Sequence, residues 1–443
     1  MNIKRILYLL CLLSATGVVA SAQPDLLQCG PMVCFSEMRE VLLWVQTKEP
    51  AEVHIRYWEA GNPGEFHVTD RVKTRKEEAF TAKLVADTVE PGKRYEYELY
   101  INGNLVERPY PLKFQTQVLW QWRTDPPPVK IAVGSCAYIN DRPYDRPGKP
   151  YGGDYKIFTS MYEKRPDMML WLGDNVYLRE PDWNTWTGIT YRYTHDRSIP
   201  EMQPLLGLVH NYAIWDDHDF GPNNSDRGLW NKDMTLKAFK LFWGNPSFGV
   251  NGKPGITTTF QWSDVQFFLL DDRYYRTPNR RRTGPRTILG EEQLEWLINA
   301  LVSSQATFKI IAIGGQVLNP VAKYENYATY AEERNRLLEA ISKEGVRGVL
   351  FLTGDRHHTE LTALPRANSY TLYDLTVSPL TSGSHDASKE ANYLRVPGTL
   401  VGEQNFAILE VTGPRKNRVM TMRIYDVDGK ELWNRRIKAK DLR

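Results

Sequence analysis

Residues 168–177 read MMLWLGDNVY, an apolar run of strand length that stops at a Gly-Asp pair. A continuous apolar run followed by glycine is typical of a central strand in a parallel sheet. Open α/β sheets place their ligands at the carboxyl ends of such strands. Asp174 is therefore a candidate metal ligand, provided that neighbouring strands also end in residues that can bind a metal.

Three other predicted strands do end in such residues. They are Cys136 after residues 129–133, Asp217 and His218 after residues 211–215, and Asp355, Arg356 and His357 after residues 348–353. A short helix predicted at 155–164 completes a βαβ unit, so Cys136 and Asp174 are expected at the same edge of one sheet. Carboxylates bind hard cations, whereas thiolate and imidazole suit transition metals. A single strand-end aspartate more often caps a turn, but four converging ends predict a metal site.

The remainder of the region from 129 to 443 continues the mixed pattern. A hairpin is predicted at 257–262 and 265–270, followed by a helix at 290–301, a strand at 308–313 and a helix at 330–342. The last part is rich in strands, at 370–377, at 405–412 and in a hairpin through 426–429. Strands that alternate with helices predict an α/β domain.

Residues 23–118 have a different pattern. Short alternating strands at 41–45, 51–57, 66–68 and 94–101 are separated by turn residues, which predicts a small antiparallel β-sandwich. Pro91-Gly92 before Tyr95 and Tyr97 suggests a corner at which a tyrosine hydroxyl bonds to the backbone. Residues 119–128 end in three prolines, which cannot continue a strand or a helix, and predict a linker.

The first 22 residues match a cleaved secretory signal: Lys4 and Arg5, an apolar run, then Ala-Ser-Ala at 20–22. The mature protein is expected to be exported to the periplasm or the extracellular space, and no later stretch is long and apolar enough to span a bilayer. Export permits a disulfide between Cys29 and Cys34. Cys136 would then be single, and a single exported thiol is a liability unless it is buried or binds a metal.

Composition describes an ordinary globular protein of two domains. The chain has 443 residues, of which 42% are hydrophobic and 25% charged, with a formal net charge of +3. It has no basic stripe interleaved with aromatic residues, so a nucleic-acid partner is not expected. The oligomeric state is left open.

Each candidate also has a plain structural interpretation. Cys136 alone is as consistent with an inert buried thiol, and Tyr177 alone with a core aromatic. His210 and His358 are interpreted as structural, and Asn223 and Asn224 as possible loop residues. The run at 280–282 is three arginines, either a solvated loop or an attraction for an anionic substrate.

Taken together, the motifs resemble a known family. The motifs are Gly134-Ser135-Cys136, Gly173-Asp174 with Tyr177, Trp215-Asp216-Asp217-His218-Asp219, Leu270-Asp271-Asp272-Arg273, Gly290-Glu291-Glu292-Gln293 with Trp296, and Gly354-Asp355-Arg356-His357. In order and spacing they resemble the PhoD-like alkaline phosphatases of the metallophosphoesterase superfamily, over about residues 129–412. The first region is similar to the fibronectin-like domain in front of such phosphatases. The resemblance implies an α/β fold, a layered β-sandwich flanked by helices, after a small all-β domain.

The resemblance also implies a ligand set. Cys136 and Tyr177 would bind an iron, and Asp174 would bridge it to a second metal, typically calcium in this group, with other divalent metals possible. Asp217 would bind the second metal, while Asp355 and His357 would complete both shells; the adjacent His358 leaves the choice of histidine open. His218 would face the substrate, and Asn223 or Arg273 would hold a phosphoryl oxygen.

The expected function is hydrolysis of a phosphomonoester or phosphodiester by a hydroxide bound to the metals. One alternative is a phosphodiesterase specific for a lipid, a nucleotide or a wall polymer. An alternative of another class is a secreted binding protein whose metal site is vestigial.

Overall fold

The computed structural model of the protein describes residues 25–367 and 369–443. The predicted signal at 1–22 lies outside these residues. Within them, no helix combines the length and the apolar character that crossing a membrane requires.

Nine strands lie between residues 25 and 118 of the described chain and form two antiparallel sheets. One sheet has the order β1-β2-β6 and the other β4-β3-β7-β8, with β5 pairing with β3 and β9 with β7. Alternate residues of β7 point inward to a small core of their own, as the period-two pattern predicts. The strands are β1 (Leu27–Ser36), β2 (Val41–Thr47), β3 (Glu52–Glu59), β4 (Phe66–Val68), β5 (Val72–Lys73), β6 (Thr81–Ala86), β7 (Arg94–Ile101), β8 (Asn104–Val106) and β9 (Lys113–Gln115).

The expected tyrosine corner is present in this sandwich. The Tyr95 hydroxyl accepts a hydrogen bond from the backbone N–H of Glu90 at 2.7 Å. The bond ties the start of β7 to the loop before it. The prediction from Pro91-Gly92 is confirmed.

The disulfide that export would permit between Cys29 and Cys34 is absent from the described residues. Cys29 and Cys34 lie in the same strand, β1, and both are free thiols. A strand rises about 3.3 Å per residue, so five positions separate the two residues by roughly 15 Å. The Cys29 thiol instead donates to Oε1 of Gln46 at 3.3 Å. The sequence did not reveal β1, whose Gly30-Pro31 reads as a turn.

The region after the linker has twelve strands and seven α-helices among the described residues. They are β10 (Val129–Gly134), α1 (Lys156–Glu163), β11 (Met168–Leu172), α2 (Trp186–Arg197), α3 (Gln203–Leu208), β12 (His210–Ile214), α4 (Asp217–Phe220), α5 (Lys232–Phe242), β13 (Thr258–Trp262), β14 (Val265–Leu269), α6 (Glu291–Ser303), β15 (Phe308–Ala312), α7 (Ala331–Lys343), β16 (Val349–Thr353), β17 (Glu360–Leu364), β18 (Leu372–Thr376), β19 (Asn405–Thr412), β20 (Val419–Asp426) and β21 (Glu431–Lys438).

These strands form two six-stranded sheets with a shared apolar core. Their orders are β12-β11-β10-β19-β20-β21 and β13-β14-β15-β16-β18-β17. Strands β10, β11 and β12 are parallel neighbours, as are β14, β15, β16 and β18. The carboxyl ends of each parallel set therefore lie at one edge of their sheet. The predicted layered α/β fold is confirmed.

Candidate metal centre

The predicted ligands come from both sheets. Cys136, Asp174 and Asp217 follow the adjacent strands β10, β11 and β12, whereas Asp355 follows β16 of the second sheet. Cys136, Asp174 and Asp217 are buried, whereas Asp355 is partly exposed. The expectation that Cys136 and Asp174 share a sheet edge is confirmed by the parallel pairing of β10 with β11.

The backbone at these strand ends is left-handed. Cys136, Asp174, Asp355 and His357 have φ angles of 60°, 50°, 64° and 53°. Such conformations cost an L-residue about 1–3 kcal/mol and concentrate at functional sites. The amide of Cys136 is held by the Gly173 carbonyl at 3.2 Å.

Potential ligand atoms form three overlapping groups, in each of which the atoms lie within 4.8 Å of one another. The first group has a thiol, a carboxylate and an imidazole, and the other two are rich in carboxylates. Asp174 belongs to the first and second groups. The groups are Cys136, Asp174 and His357; Asp174, Asp217 and His218; and Asp216, Asp217 and Asp355.

Tyr177 lies within the first group. Its hydroxyl donates to Oδ2 of Asp174 at 3.2 Å and lies 3.2 Å from Nε2 of His357. The side chain is 4% exposed. Its place beside potential ligands distinguishes it from an ordinary core aromatic residue.

The two adjacent histidines have different surroundings. His357 reaches Tyr177 and the Cys136 group, and its Nδ1 lies 3.0 Å from the Tyr151 hydroxyl. His358 is fully buried elsewhere, with Nδ1 2.9 Å from the Arg356 carbonyl and Nε2 3.7 Å from Glu360. Of these two adjacent histidines, His357 is therefore the one that could bind a metal at this centre.

The donor set fits bound cations. Oδ1 of Asp217 and Oδ2 of Asp216 are buried and accept no hydrogen bond from the described residues. Burial and the nearby Cys136 and Asp217 raise the pKa of Asp174 well above its ordinary value. Burial and Asp217 raise the pKa of Asp355 to about 6, and burial raises the pKa of the Cys136 thiol to about 12. Acidic groups crowded in this way need positive charge among them to ionise.

An open cleft of about 660 Å³ leads to these residues. His218 and Asn223 line it. The His218 ring lies against Tyr177 with 4.3 Å between centroids. The cleft is lined by Tyr151, Asp174, Asp217, His218, Asn223, Asn224, Asn279, Arg286, Tyr324, Glu325, Thr329, Asp355, Arg356, His357 and His385.

Arg273 lies behind the carboxylates and does not line this cleft. Its side chain is 1% exposed and forms a short ion pair with Asp216 and a 2.8 Å bond with Glu325. The nearest distance to Asp217 is 3.9 Å. This location supports a role in holding carboxylates and does not support contact with a phosphoryl oxygen.

Sequence reasoning missed three contributors to the site. Asp216 caps helix α4 and supplies a free carboxylate oxygen, Tyr151 reaches His357 from a distant loop, and the Ser378 hydroxyl donates to Cys136 at 3.1 Å. Asn175, to which the sequence alone assigned no role, donates from its side-chain amide to Asp219 at 3.0 Å and to the Ile214 carbonyl at 2.7 Å. It thereby joins the loops after β11 and β12. Side-chain contacts between loops have no sequence period that would reveal them.

Comparison with known proteins agrees with this architecture. The family model for PhoD-like phosphatase matches residues 131–408, more than half of the chain. The chain belongs to the PhoD-like phosphatase family. Residues 24–119 match a domain of unknown function, DUF7800.

Relatives of this PhoD-like chain include a curated protein and solved structures. Alkaline phosphatase D of Bacillus subtilis (strain 168) is 24% identical over 392 residues, which cover 76% of this chain and 64% of that relative. The chain thus spans a little under two thirds of that relative's length. The structure of PhoD superposes with a TM-score of 0.74 at 17% identity, covering 92% and 91% of the two chains. A purple acid phosphatase from yellow lupin (Lupinus luteus) seeds gives 0.67 at 10% identity, covering 92% and 74%.

Proposed function

We propose that this chain is a metal-dependent hydrolase of phosphoesters. The observation that carries the proposal is the convergence of strand-end ligands from two sheets at the floor of one open cleft. Membership of the PhoD-like phosphatase family supports the same reaction class. The ligands would be Cys136, Asp174, Tyr177, Asp217, Asp355 and His357.

The chemistry of the donors supports a proposal for the two metals. A thiolate, a phenolate and an imidazole suit iron, so Cys136, Tyr177 and His357 would hold it. Carboxylate oxygens suit calcium, so Asp217 and Asp355 would hold the second ion, with Asp174 between the two. When bound, such a pair polarises phosphoryl oxygens and lowers the pKa of water.

The protein's own groups would bind and orient the ester. Asn223 lines the cleft, and its side-chain amide makes no hydrogen bond to the described residues, so it is free to bind a non-bridging oxygen. The His218 imidazole, held against Tyr177, would give a proton to the leaving oxygen. Arg273 would act as a positioning residue that fixes Asp216 and Glu325.

The place of action is part of the same proposal. The apolar segment at 1–22, with its Ala-Ser-Ala end, supports export to the periplasm or the extracellular space. The amino-terminal sequence of the mature protein from its own host would test export, and an intact Met1 would contradict it.

A matched pair of variants tests the reaction. Asp174→Asn keeps the side-chain shape but removes the shared carboxylate charge, and should lower kcat/KM more than about a hundredfold with little change in unfolding temperature. The control is Asp70→Asn, at an exposed position of the sandwich. The assay uses nitrophenyl phosphate and bis-nitrophenyl phosphate, with metal content measured by mass spectrometry. Full activity in Asp174→Asn would contradict the proposal.

The iron assignment has its own measurement. Thiolate and phenolate ligands predict visible charge-transfer absorption in pure protein. Tyr177→Phe should shift this band, whereas Tyr144→Phe should not, because Tyr144 packs on Tyr191. Colourless protein with full activity would exclude this iron assignment.

A phosphodiester substrate is the second candidate. The cleft extends from the ligands to Asn279, Arg286 and Thr329, which is more room than a single phosphoryl group fills. Faster turnover of the bis-nitrophenyl ester than of the monoester would favour the diesterase. No turnover of either ester by the metal-loaded protein would favour a secreted binding protein.

A further inference from the structure

Tyr324 is an aromatic residue of the cleft that the proposed reaction does not use. Its side chain is 59% exposed, although it lines the cleft, and its hydroxyl makes no hydrogen bond within the described ranges. The ring contacts two other lining residues: the Arg356 guanidinium lies 5.0 Å from its centroid, and the His385 ring 5.8 Å at 67°. Arg356 stands between Asp355 and His357, so the ring lies beside the proposed metal ligands.

The backbone holds this ring at a conformational cost. Tyr324 and Glu325 have successive left-handed φ angles of 47° and 61°. Glu325 anchors the pair, since its carboxylate accepts from Arg273 at 2.8 Å and its carbonyl accepts from Arg276 at 2.8 Å. Strain of this kind persists where surrounding contacts enforce it. The anchored loop therefore presents an exposed ring at a fixed place.

Two of the charged side chains near Tyr324, those of Arg356 and Glu325, are paired. Arg356 forms a 2.5 Å ion pair with Glu390, and Glu325 forms an ion pair with Arg273. The Arg286 side chain donates to backbone carbonyls, among them that of Asn279 at 3.0 Å. The ring therefore offers a flat apolar surface that suits a planar group, while Arg286, which has no carboxylate partner within the described ranges, leaves one uncompensated positive charge on this wall of the cleft.

We infer that Tyr324 is a specificity-determining residue that stacks on the planar heteroaromatic base of a nucleoside leaving group. The substrates would then be nucleoside phosphoesters. The inference rests on the proposed function and narrows its substrate class. Stacking on an aromatic side chain tolerates any base, because every base has a π-face. The free side-chain amides of Asn223 and Asn224, in the same cleft, can bond to ring or sugar heteroatoms.

The test compares AMP with ribose 5-phosphate, which share the scissile ester and differ by the base, and repeats the comparison with their methyl diesters. The wild type should favour AMP by about tenfold in kcat/KM. Tyr324→Asn removes the ring while suiting the left-handed backbone, and should reduce the preference to about twofold through KM with kcat unchanged. Tyr324→Phe, which retains the ring, should keep the preference for AMP. Tyr393→Asn, at an 80% exposed tyrosine outside the cleft lining, is the control.

A binding measurement separates this inference from the proposed reaction. Adenosine, which has no phosphate, should bind to the as-purified protein about tenfold more weakly after Tyr324→Asn. Loss of adenosine binding in that variant, with no hydrolysis by any form, would support the ring site while excluding the hydrolase. Equal rates for AMP and ribose 5-phosphate, an unchanged preference in Tyr324→Asn, or a preference for ribose 1,5-bisphosphate over AMP would overturn the inference.

Discussion

Gly173 is the residue that allows the β11 strand end to approach the loop after β12. Its φ is +88°, and a Cβ atom there would lie 2.7 Å from Cβ of Asp216 and 2.9 Å from its backbone nitrogen. Both atoms belong to Asp216, so they cannot move without shifting its carboxylate. Gly173→Ala should therefore cost about 2–4 kcal/mol in the free energy of unfolding and lower the bound metal.

Denaturant unfolding and metal analysis would check this prediction. Gly64→Ala is the control, because nothing lies within 4 Å of a Cβ atom there, and it should change stability by no more than about 0.5 kcal/mol. Equal behaviour of the two variants would show that the close approach at Gly173 is not required.

Tyr151 should fix the orientation of His357. Its hydroxyl lies 3.0 Å from Nδ1, and when it accepts a hydrogen bond from Nδ1–H the other nitrogen, Nε2, is left for a metal. Loss of such a partner typically weakens metal binding 10–100-fold. Tyr151→Phe should lower affinity by about that factor in metal titrations of stripped protein. Tyr144→Phe in the same loop is the control, and equal affinities would remove the positioning role.

At the scale of elements, the strands and helices that could be predicted from the sequence are those whose hydrophobic pattern indicates burial. Strands β10, β11, β12 and β16 are almost entirely buried and largely apolar, although β12 begins with His210 and Asn211, and their bounds agree with prediction to within about a residue. Helix α2 was missed because it has no apolar stripe. Its buried residues include Arg192, which pairs with Asp182 at 2.9 Å. Buried ion pairs leave no hydrophobic period in the sequence, and neither do contacts between loops such as that of Tyr151 with His357. Such features could therefore not be predicted from the sequence.

His210, at the start of β12, links that strand to the sandwich and should make stability depend on pH. Its Nδ1–H donates to the Cys34 carbonyl at 2.8 Å, and Nε2 accepts from the Gln115 amide at 3.3 Å. The bond accepted by Nε2 requires the neutral ring, and burial lowers the pKa of His210 from 6.5 to about 4. Because the folded pKa is depressed, this stability is complete above pH 6.5 and is lost as pH falls toward 4, on the order of 3 kcal/mol.

Unfolding of the wild type and His210→Gln at pH 7.5 and 4.5 would measure this effect. The variant should be less stable at pH 7.5 but should lose less stability on acidification than the wild type. His67→Gln, at an exposed histidine of the sandwich, should follow the wild type. A parallel loss in all three proteins would assign acid sensitivity to other groups.

At the scale of the whole molecule, the sandwich and the α/β region share buried surface. Met32, Leu42 and Trp44 of the sandwich belong to the same apolar core as the two large sheets. The Lys83 ammonium donates to the carbonyls of Lys240 and Trp243 at 2.6 and 2.8 Å, at the end of helix α5. A cation near the carboxyl end of a helix is stabilising, so this contact stabilises the fold. Cooperative unfolding of both regions follows from such continuity.

Trp44→Ala tests whether the two regions unfold together. The indole is fully buried, its N–H donates to the Leu241 carbonyl of α5 at 2.8 Å, and Arg197 lies 5.1 Å from its centroid. Its removal should cost about 3–5 kcal/mol. If the core is continuous, calorimetry should show one transition at a lower temperature, and metal release should move with it. Trp122→Ala, at a 90% exposed residue, should change neither. Two separate transitions, of which the variant moves one, would show that the sandwich unfolds independently and leaves the metal centre intact.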